Sequence, residues 1–262
     1  MPDADRIHAV DRYWRVAEFL GAGDVPKRFH VPQGADEMEA VRKELAELPR
    51  PWVAVAVGAK WVTKRWPPAH FAEVLRRMQR EFGGSAIFVG SGEDTAASRE
   101  VMQGLECRYP PPGGTQSGSA DLPHKGAGAC LTSPPVGEVG GASPPGGGDA
   151  STRDLTGKTS LPRLAALLAQ CDVMLANDTG PLHLAAALGV PCVAPYTCTR
   201  VALHGPYTSM KGGVETRVPC AGSYIKSCRN MICMPELSPD RLWPTLAEVL
   251  DAWQRKYTSR SA

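Results

Sequence analysis

The chain has 262 residues, 43% of them hydrophobic and 21% charged, and a formal net charge of +2. That balance describes a globular chain with room for one large domain or two small ones, and it supplies no strong field for nucleic acid or an anionic membrane. No apolar run approaches the roughly 20 residues that cross a bilayer, and the polar start Met1–Arg6 lacks the apolar core of a signal peptide, which argues against a membrane span, a secreted precursor and a wholly disordered chain.

In chain order, Ile7, Val10, Trp14, Val16, Ala17 and Leu20 recur at roughly helical spacing over 7–20, and 36–48 reads as a second helix. Trp52–Val57 is a short apolar, β-branched run ended by Gly58, and Pro67 and Pro68 then introduce a helix from Ala69 to Phe82. A strand over Ser85–Val89 ends at Gly90, and a helix follows over Asp94–Gly104. Residues 110–150 hold 8 Pro and 11 Gly in 41 positions. Such a stretch buries too little apolar surface to offset its ordering entropy and is expected to be a disordered insertion in a surface loop. Beyond it come a helix over Leu161–Gln170, a strand over Asp172–Ala176, a helix over Gly180–Leu188, a strand over Pro191–Pro195, a weaker strand over Val214–Val218 and a closing helix over Pro239–Trp253. Strands alternating with helices predict an α/β fold, a Rossmann-like parallel sheet with helices on both faces. No internal repeat is present.

Cys171 and Cys192 lie in apolar runs and read as small buried hydrophobes. Cys107 and Cys130 carry no pattern. Cys220, Cys228 and Cys233 have the spacing C-x7-C-x4-C, with no CxxC pair and no His between them, one ligand short of the four that a structural zinc site uses. They are read as packing thiols, with zinc or a local disulfide as alternatives.

The most informative stretch is 172–195. A buried strand runs through Asn177-Asp178-Thr179-Gly180-Pro181 straight into a helix. The helix start offers unpaired N–H groups and the positive end of its dipole, Gly180 admits a ligand close to the backbone, and Pro181 suits the first turn. In a parallel sheet ligands sit beyond the carboxyl ends of the strands, so an anion such as a diphosphate fits here. Alternatively, Asp178 and Thr179 only cap the helix and His183 is a satisfied first-turn histidine. Gly58-Ala59-Lys60-Trp61-Val62-Thr63-Lys64-Arg65-Trp66-Pro67 also follows a strand. Lys64 is a point charge suited to phosphate, or the segment is a solvated basic loop. Gly90-Ser91-Gly92-Glu93-Asp94-Thr95 mimics GxGxxG, but Thr95 stands where the last Gly belongs, so a carboxylate holding ribose hydroxyls is the better reading. Gly157-Lys158-Thr159-Ser160 imitates the end of a P-loop, but Thr152 occupies the position of the required Gly.

Taken in order, Lys64-Arg65-Trp66-Pro67, Gly90-Ser91-Gly92-Glu93-Asp94, Leu155-Thr156-Gly157-Lys158-Thr159-Ser160-Leu161 and Asn177-Asp178-Thr179-Gly180-Pro181-Leu182-His183 resemble glycosyltransferase family 9, best known for ADP-heptose:lipopolysaccharide heptosyltransferases. His8–Tyr13 looks like that family's interdomain link, and Cys220–Met234 resembles a cysteine-bearing tail of some members. The resemblance spans the chain apart from 110–150. It implies the C-terminal half of a GT-B fold, with 1–50 as linker and helices, 51–256 as a nucleotide-sugar-binding domain interrupted at 110–150, and 257–262 as a tail. By position, Lys64 with Thr63 beside it meets donor phosphate, Asp94 the ribose, Thr159 the adenine, and Asp178, Thr179, Gly180 and His183 the diphosphate and sugar. The implied donor is an ADP-sugar, a substrate rather than a cofactor, with no metal. The implied acceptor resembles a lipid A–core oligosaccharide, met in the cytoplasm at the inner face of the inner membrane. The general base belongs to the family's N-terminal domain, so no catalytic residue is assigned here and a separate acceptor domain is an expected partner. A non-catalytic nucleotide-sugar-binding module and a ligand-free Rossmann-like interaction domain are the other readings.

Overall fold

The computed structural model describes residues 6–23, 25–106 and 151–261. Cys107, Cys130 and the expected insertion at 110–150 lie outside the described residues. Helices α1 (Ala9–Phe19) and α2 (Ala35–Leu45) precede β1 (Trp52–Ala56), α3 (Pro68–Phe82), β2 (Ser85–Phe88) and α4 (Thr95–Glu106). Then follow β3 (Ser151–Asp154), α5 (Leu161–Leu168), β4 (Val173–Ala176), α6 (Gly180–Ala187), β5 (Cys192–Tyr196), α7 (Val201–His204), β6 (Gly213–Glu215), α8 (Cys233–Glu236) and α9 (Pro239–Ser261).

The strands form one sheet in the order β3-β2-β1-β4-β5-β6, and every pairing is parallel. The chain builds outward from β1 in one direction, returns to β4 and builds outward in the other. β1 and β4 are therefore central neighbours whose following loops diverge, which opens a crevice at their carboxyl ends. Their register pairs Val53 with Val173 and Ala56 with Ala176.

Period-2 alternation sends successive β1 side chains to opposite faces. Trp52, Ala54 and Ala56 pack with Val41 and Leu45 of α2, Leu167 and Leu168 of α5 and Leu182 of α6. Val53, Val55 and Val57 pack with Phe71, Leu75 and Met78 of α3 and with Leu242, Leu246 and Leu250 of α9. Both faces are covered, which is why the central strands read as unbroken apolar runs.

The structure differs from the sequence reading in four places. The four-residue helices α7 and α8 were not predicted, being too short to show a periodicity. β3 had no counterpart. It is a sheet edge made of Ser151, Thr152, Arg153 and Asp154, none of them fully buried, so no apolar pattern announces it. The closing helix does not stop at Trp253 but continues to Ser261. α1 forms as expected but buries none of its residues, and Tyr13, Val16 and Phe19 are exposed. Elsewhere the boundaries shift by one to three residues, the ordinary uncertainty of frayed ends.

Candidate functional site

The crevice predicted by the strand order is present as an open cleft of about 610 Å³. Its lining comes from loops after four parallel strands and includes Lys60, Asp94, Thr159 and Thr179. β1 contributes Gly58–Arg65, β2 contributes Gly90–Asp94, β3 leads to Thr159, and β4 runs into the start of α6.

Asp178 lies two residues beyond β4, immediately before the lining residue Thr179. One carboxylate oxygen, Oδ2, accepts from Lys64 Nζ at 2.6 Å and from the Thr199 hydroxyl at 2.7 Å. The other, Oδ1, is 3.2 Å from His183 Nε2. A carboxylate only accepts, so Nε2 is the donor and, in a neutral ring, Nδ1 is left as the acceptor. Asp178 is 6% exposed, and burial pushes its carboxyl up. The hydrogen bonds from His183, Lys64 and Thr199, with the Lys64 charge, outweigh burial and bring it down to about 2. Asp178 is thus an ionised hub joining the β1 loop, the β5 loop and α6. It is not a cap: Thr179 is the N-cap of α6 and makes no side-chain capping bond. Thr179 and Pro181, at the start of α6, line the cleft.

Asn177, fully buried, fixes this loop pair in place. Its amide group donates to the Val57 carbonyl at 2.8 Å, its side-chain oxygen accepts from the Trp66 amide at 3.1 Å, and its own backbone N–H reaches the Ala56 carbonyl. The segment carrying Lys64 is thereby tied to the end of β4.

Asp94 forms the opposite end of the cleft. Its Oδ2 accepts from both the backbone N–H and the hydroxyl of Ser91 at 2.8 Å. A Cβ at Gly58 would lie 1.9 Å from Asp94 Oδ1, and one at Gly90 would lie 2.8 Å from Oδ2. Any side chain at Gly58 would displace the carboxylate, so the two glycines make the space it occupies.

Among the expected site residues, Asp94, Thr159 and Thr179 line the cleft together, with Gly180 next to Thr179 at the start of α6. Lys64 and Asp178 are joined in an ion pair next in the chain to the lining residues Arg65 and Thr179 and do not themselves line the cleft. Thr63 points elsewhere: its hydroxyl donates to the Ile225 carbonyl at 2.6 Å and contacts Cys198 Sγ at 3.3 Å. His183 binds Asp178 on one edge and also lines a separate cavity of about 230 Å³ with His8, Tyr13, His204 and Tyr207. Lys158 reaches back to the Asp154 carbonyl at 2.9 Å. Sequence reading assigned no role to Lys60, Arg65, Asn177 or Thr199. Lys60 and Arg65 lie inside the basic segment already singled out and line the cleft. Thr199 meets Asp178 only through the fold.

With this geometry in view, the model of glycosyltransferase family 9 (heptosyltransferase) matches residues 2–110 and 145–232, well over half of the chain. The chain belongs to glycosyltransferase family 9. Among characterised relatives, this family 9 chain is 24% identical over 261 residues to lipopolysaccharide heptosyltransferase 1 of Pseudomonas aeruginosa, covering 93% of the chain and 59% of the relative. A solved family 9 glycosyltransferase from Veillonella parvula superposes with a TM-score of 0.67 at 20% identity, covering 95% of this chain and 62% of that one. The Escherichia coli heptosyltransferase WaaC, solved with ADP, superposes with a TM-score of 0.51 at 18% identity, covering 93% and 57%. The family 9 chain therefore spans about three fifths of the length of these relatives. Among the described residues no helix is long and apolar enough to cross a membrane.

Proposed function

We propose that this chain is the donor-binding part of a heptosyltransferase-type glycosyltransferase and that its cleft holds an ADP-sugar. The observation that carries the reading is the switch-point cleft lined by the Asp94 carboxylate, Thr159, Lys60 and the start of α6 at Thr179, with the Lys64–Asp178–His183 group adjoining that start. Asp94 suits ribose hydroxyls and Thr159 the adenine edge. Thr179, Gly180 and the first-turn amides of α6 suit the diphosphate, with Lys64, Lys60 and Arg65 supplying positive charge around it. Thr63 serves this site indirectly, by fastening the loop that carries Lys64. The ADP seen in the Escherichia coli relative supports adenine as the base.

The reaction is displacement at the anomeric carbon of the donor sugar. A hydroxyl of an acceptor resembling the lipopolysaccharide core forms the new C–O bond, the bond to the diphosphate breaks, and ADP departs. A carboxylate on a separate acceptor domain takes the hydroxyl proton. Negative charge grows on the departing diphosphate, and fixed N–H dipoles and ammonium groups around it lower the barrier because they need not reorganise. His183, held by Asp178, stands on the sugar side. Catalysis takes place in the cytoplasm, at the inner face of the inner membrane where that acceptor is presented.

Calorimetric titration with ADP tests the reading. Saturable ADP binding is expected, and Lys60→Ala, which removes an exposed cation from the cleft, should weaken it about tenfold, the loss of roughly one charge-assisted contact. A folded chain that takes up no ADP overturns the reading.

A further inference from the structure

Positive charge is not spread evenly around the proposed diphosphate position. Lys60 and Arg65 line the nucleotide cleft. On the side of the Asp178 hub the ammonium at hand is Lys64, and it is already bound to Asp178 at 2.6 Å. The Asp178 carboxyl, brought down to about 2 by its donors, is ionised. The pair therefore offers a nearby anion a hydrogen-bond donor but no net positive charge. The charge that grows on a departing phosphate calls for a cation that no carboxylate has claimed.

Trp61 holds such a cation. Lys64 Nζ lies 4.6 Å from the centre of its ring and Lys226 Nζ 5.3 Å. Trp61 is half-buried and Lys226 exposed, and among the described residues Lys226 meets no carboxylate. The backbone that presents Lys226 is fastened on both sides of the preceding peptide. The Tyr224 amide donates to the Cys198 carbonyl at 2.8 Å, and the Thr63 hydroxyl donates to the Ile225 carbonyl at 2.6 Å. Tyr224 is held there at φ 59°, a left-handed conformation that persists in a non-glycine residue where surrounding structure over-determines it. Thr63, next to Lys64 in the chain, thus fixes the segment that carries Lys226.

We propose that Lys226, positioned by Trp61, is a donor-binding residue whose ammonium meets the phosphate that carries the transferred sugar and stays on it as the nucleoside diphosphate departs. This rests on the reading of the cleft as an ADP-sugar site. The bond that breaks joins the anomeric carbon to an oxygen of that phosphate, and its electron pair remains on the oxygen. Lys226 keeps its proton and donates a hydrogen bond. An ammonium on a flexible four-carbon stem can leave the ring to follow a phosphate, and the indole face holds it ready until then. Two ammonium groups gathered on one ring repel, and an anion between them relieves that repulsion.

The test is calorimetric titration of the full chain with ADP, AMP and inorganic pyrophosphate. The sugar-bearing phosphate of the donor is the terminal phosphate of ADP and is absent from AMP. Lys226→Gln, at an exposed position, should keep the native circular dichroism, weaken ADP about tenfold as one charge-assisted contact is lost, and change AMP by less than about twofold. Lys226→Arg should retain ADP affinity within about threefold, because the charge remains. Trp61→Leu should reproduce the selective loss of ADP, and Trp61→Phe, which keeps an aromatic face, should restore most of it. Equal ADP affinity in Lys226→Gln and the unaltered chain overturns the proposal while leaving the cleft as the nucleotide site. So does an equal loss of ADP and AMP, which marks a structural role. A folded chain that binds pyrophosphate through Lys226 but takes up no ADP overturns the nucleotide reading and supports the phosphate contact. Binding of none of the three overturns both.

Discussion

Two Lys–Asp pairs in this molecule share almost the same contact and differ in their setting. Lys64 meets Asp178 at 2.6 Å with side chains 18% and 5% exposed, at the carboxyl ends of the central strands. Lys27 meets Asp11 at 2.5 Å with 31% and 37% exposed, where α1 lies on the flank of the domain. Asp178 has two further donors, Thr199 after β5 and His183 on α6. Asp11 shares only the Lys27 ammonium and the Tyr207 hydroxyl. Distance does not distinguish the two pairs, but burial does. Where water is excluded the charges are committed to one another and position whatever binds nearby. Where water remains, the same contact is screened and holds a helix that buries nothing of its own.

Breaking the buried pair should have the largest effect. Asp178→Ala leaves Lys64 with an uncompensated charge and is expected to cost about 3–5 kcal/mol in urea denaturation. A loss no greater than that of an exposed pair would remove the distinction drawn here. Asn177→Ala probes the neutral clamp beside it. The Trp66 amide and the Val57 carbonyl would both lose their partner, for an expected cost of about 2–4 kcal/mol at roughly 1–3 per orphaned group.

Acid should expose the same contrast. The folded carboxyl of Asp178 lies at about 2, below the ordinary unfolded value of about 3.9. Its contribution is therefore complete above that value and is lost as pH falls through it toward 2. The stability lost over that range from this group is about 2 kcal/mol. The acid limb measured for Asp178→Ala should be shallower by that amount, and a limb unchanged by the substitution would contradict the assignment. The smallest effect belongs to the flank: Lys27→Ala should leave both the urea midpoint and ADP affinity essentially unaltered, because a solvated pair is screened.

Legibility in the sequence followed the same division between local and distant contacts. The sheet could be read because β1, β4 and β5 are buried on both faces and carry unbroken apolar runs. β3 could not, because Ser151–Asp154 is a polar edge that pairs on one side only. The motif Asn177–His183 was legible as a strand running into a helix, and the order of the loops pointed to the family. What Asp178 does there was not legible. A cap and an ion-pair hub require the same residue at the same place, and the choice depends on Lys64 and Thr199, brought in from other strands. Thr63 illustrates the converse, since its place beside Lys64 in the chain does not turn its hydroxyl toward the cleft.

Hydrogen–deuterium exchange in the presence and absence of ADP tests the central claim most directly. If the cleft beyond β1 and β4 is the donor site, ADP should slow exchange at 179–182, the start of α6, and at 91–95, around the Asp94 carboxylate. The amides of α9 should exchange as before. Protection confined to 8–13 and 204–207, around the second cavity, with none at 179–182, would place the nucleotide elsewhere and contradict the account.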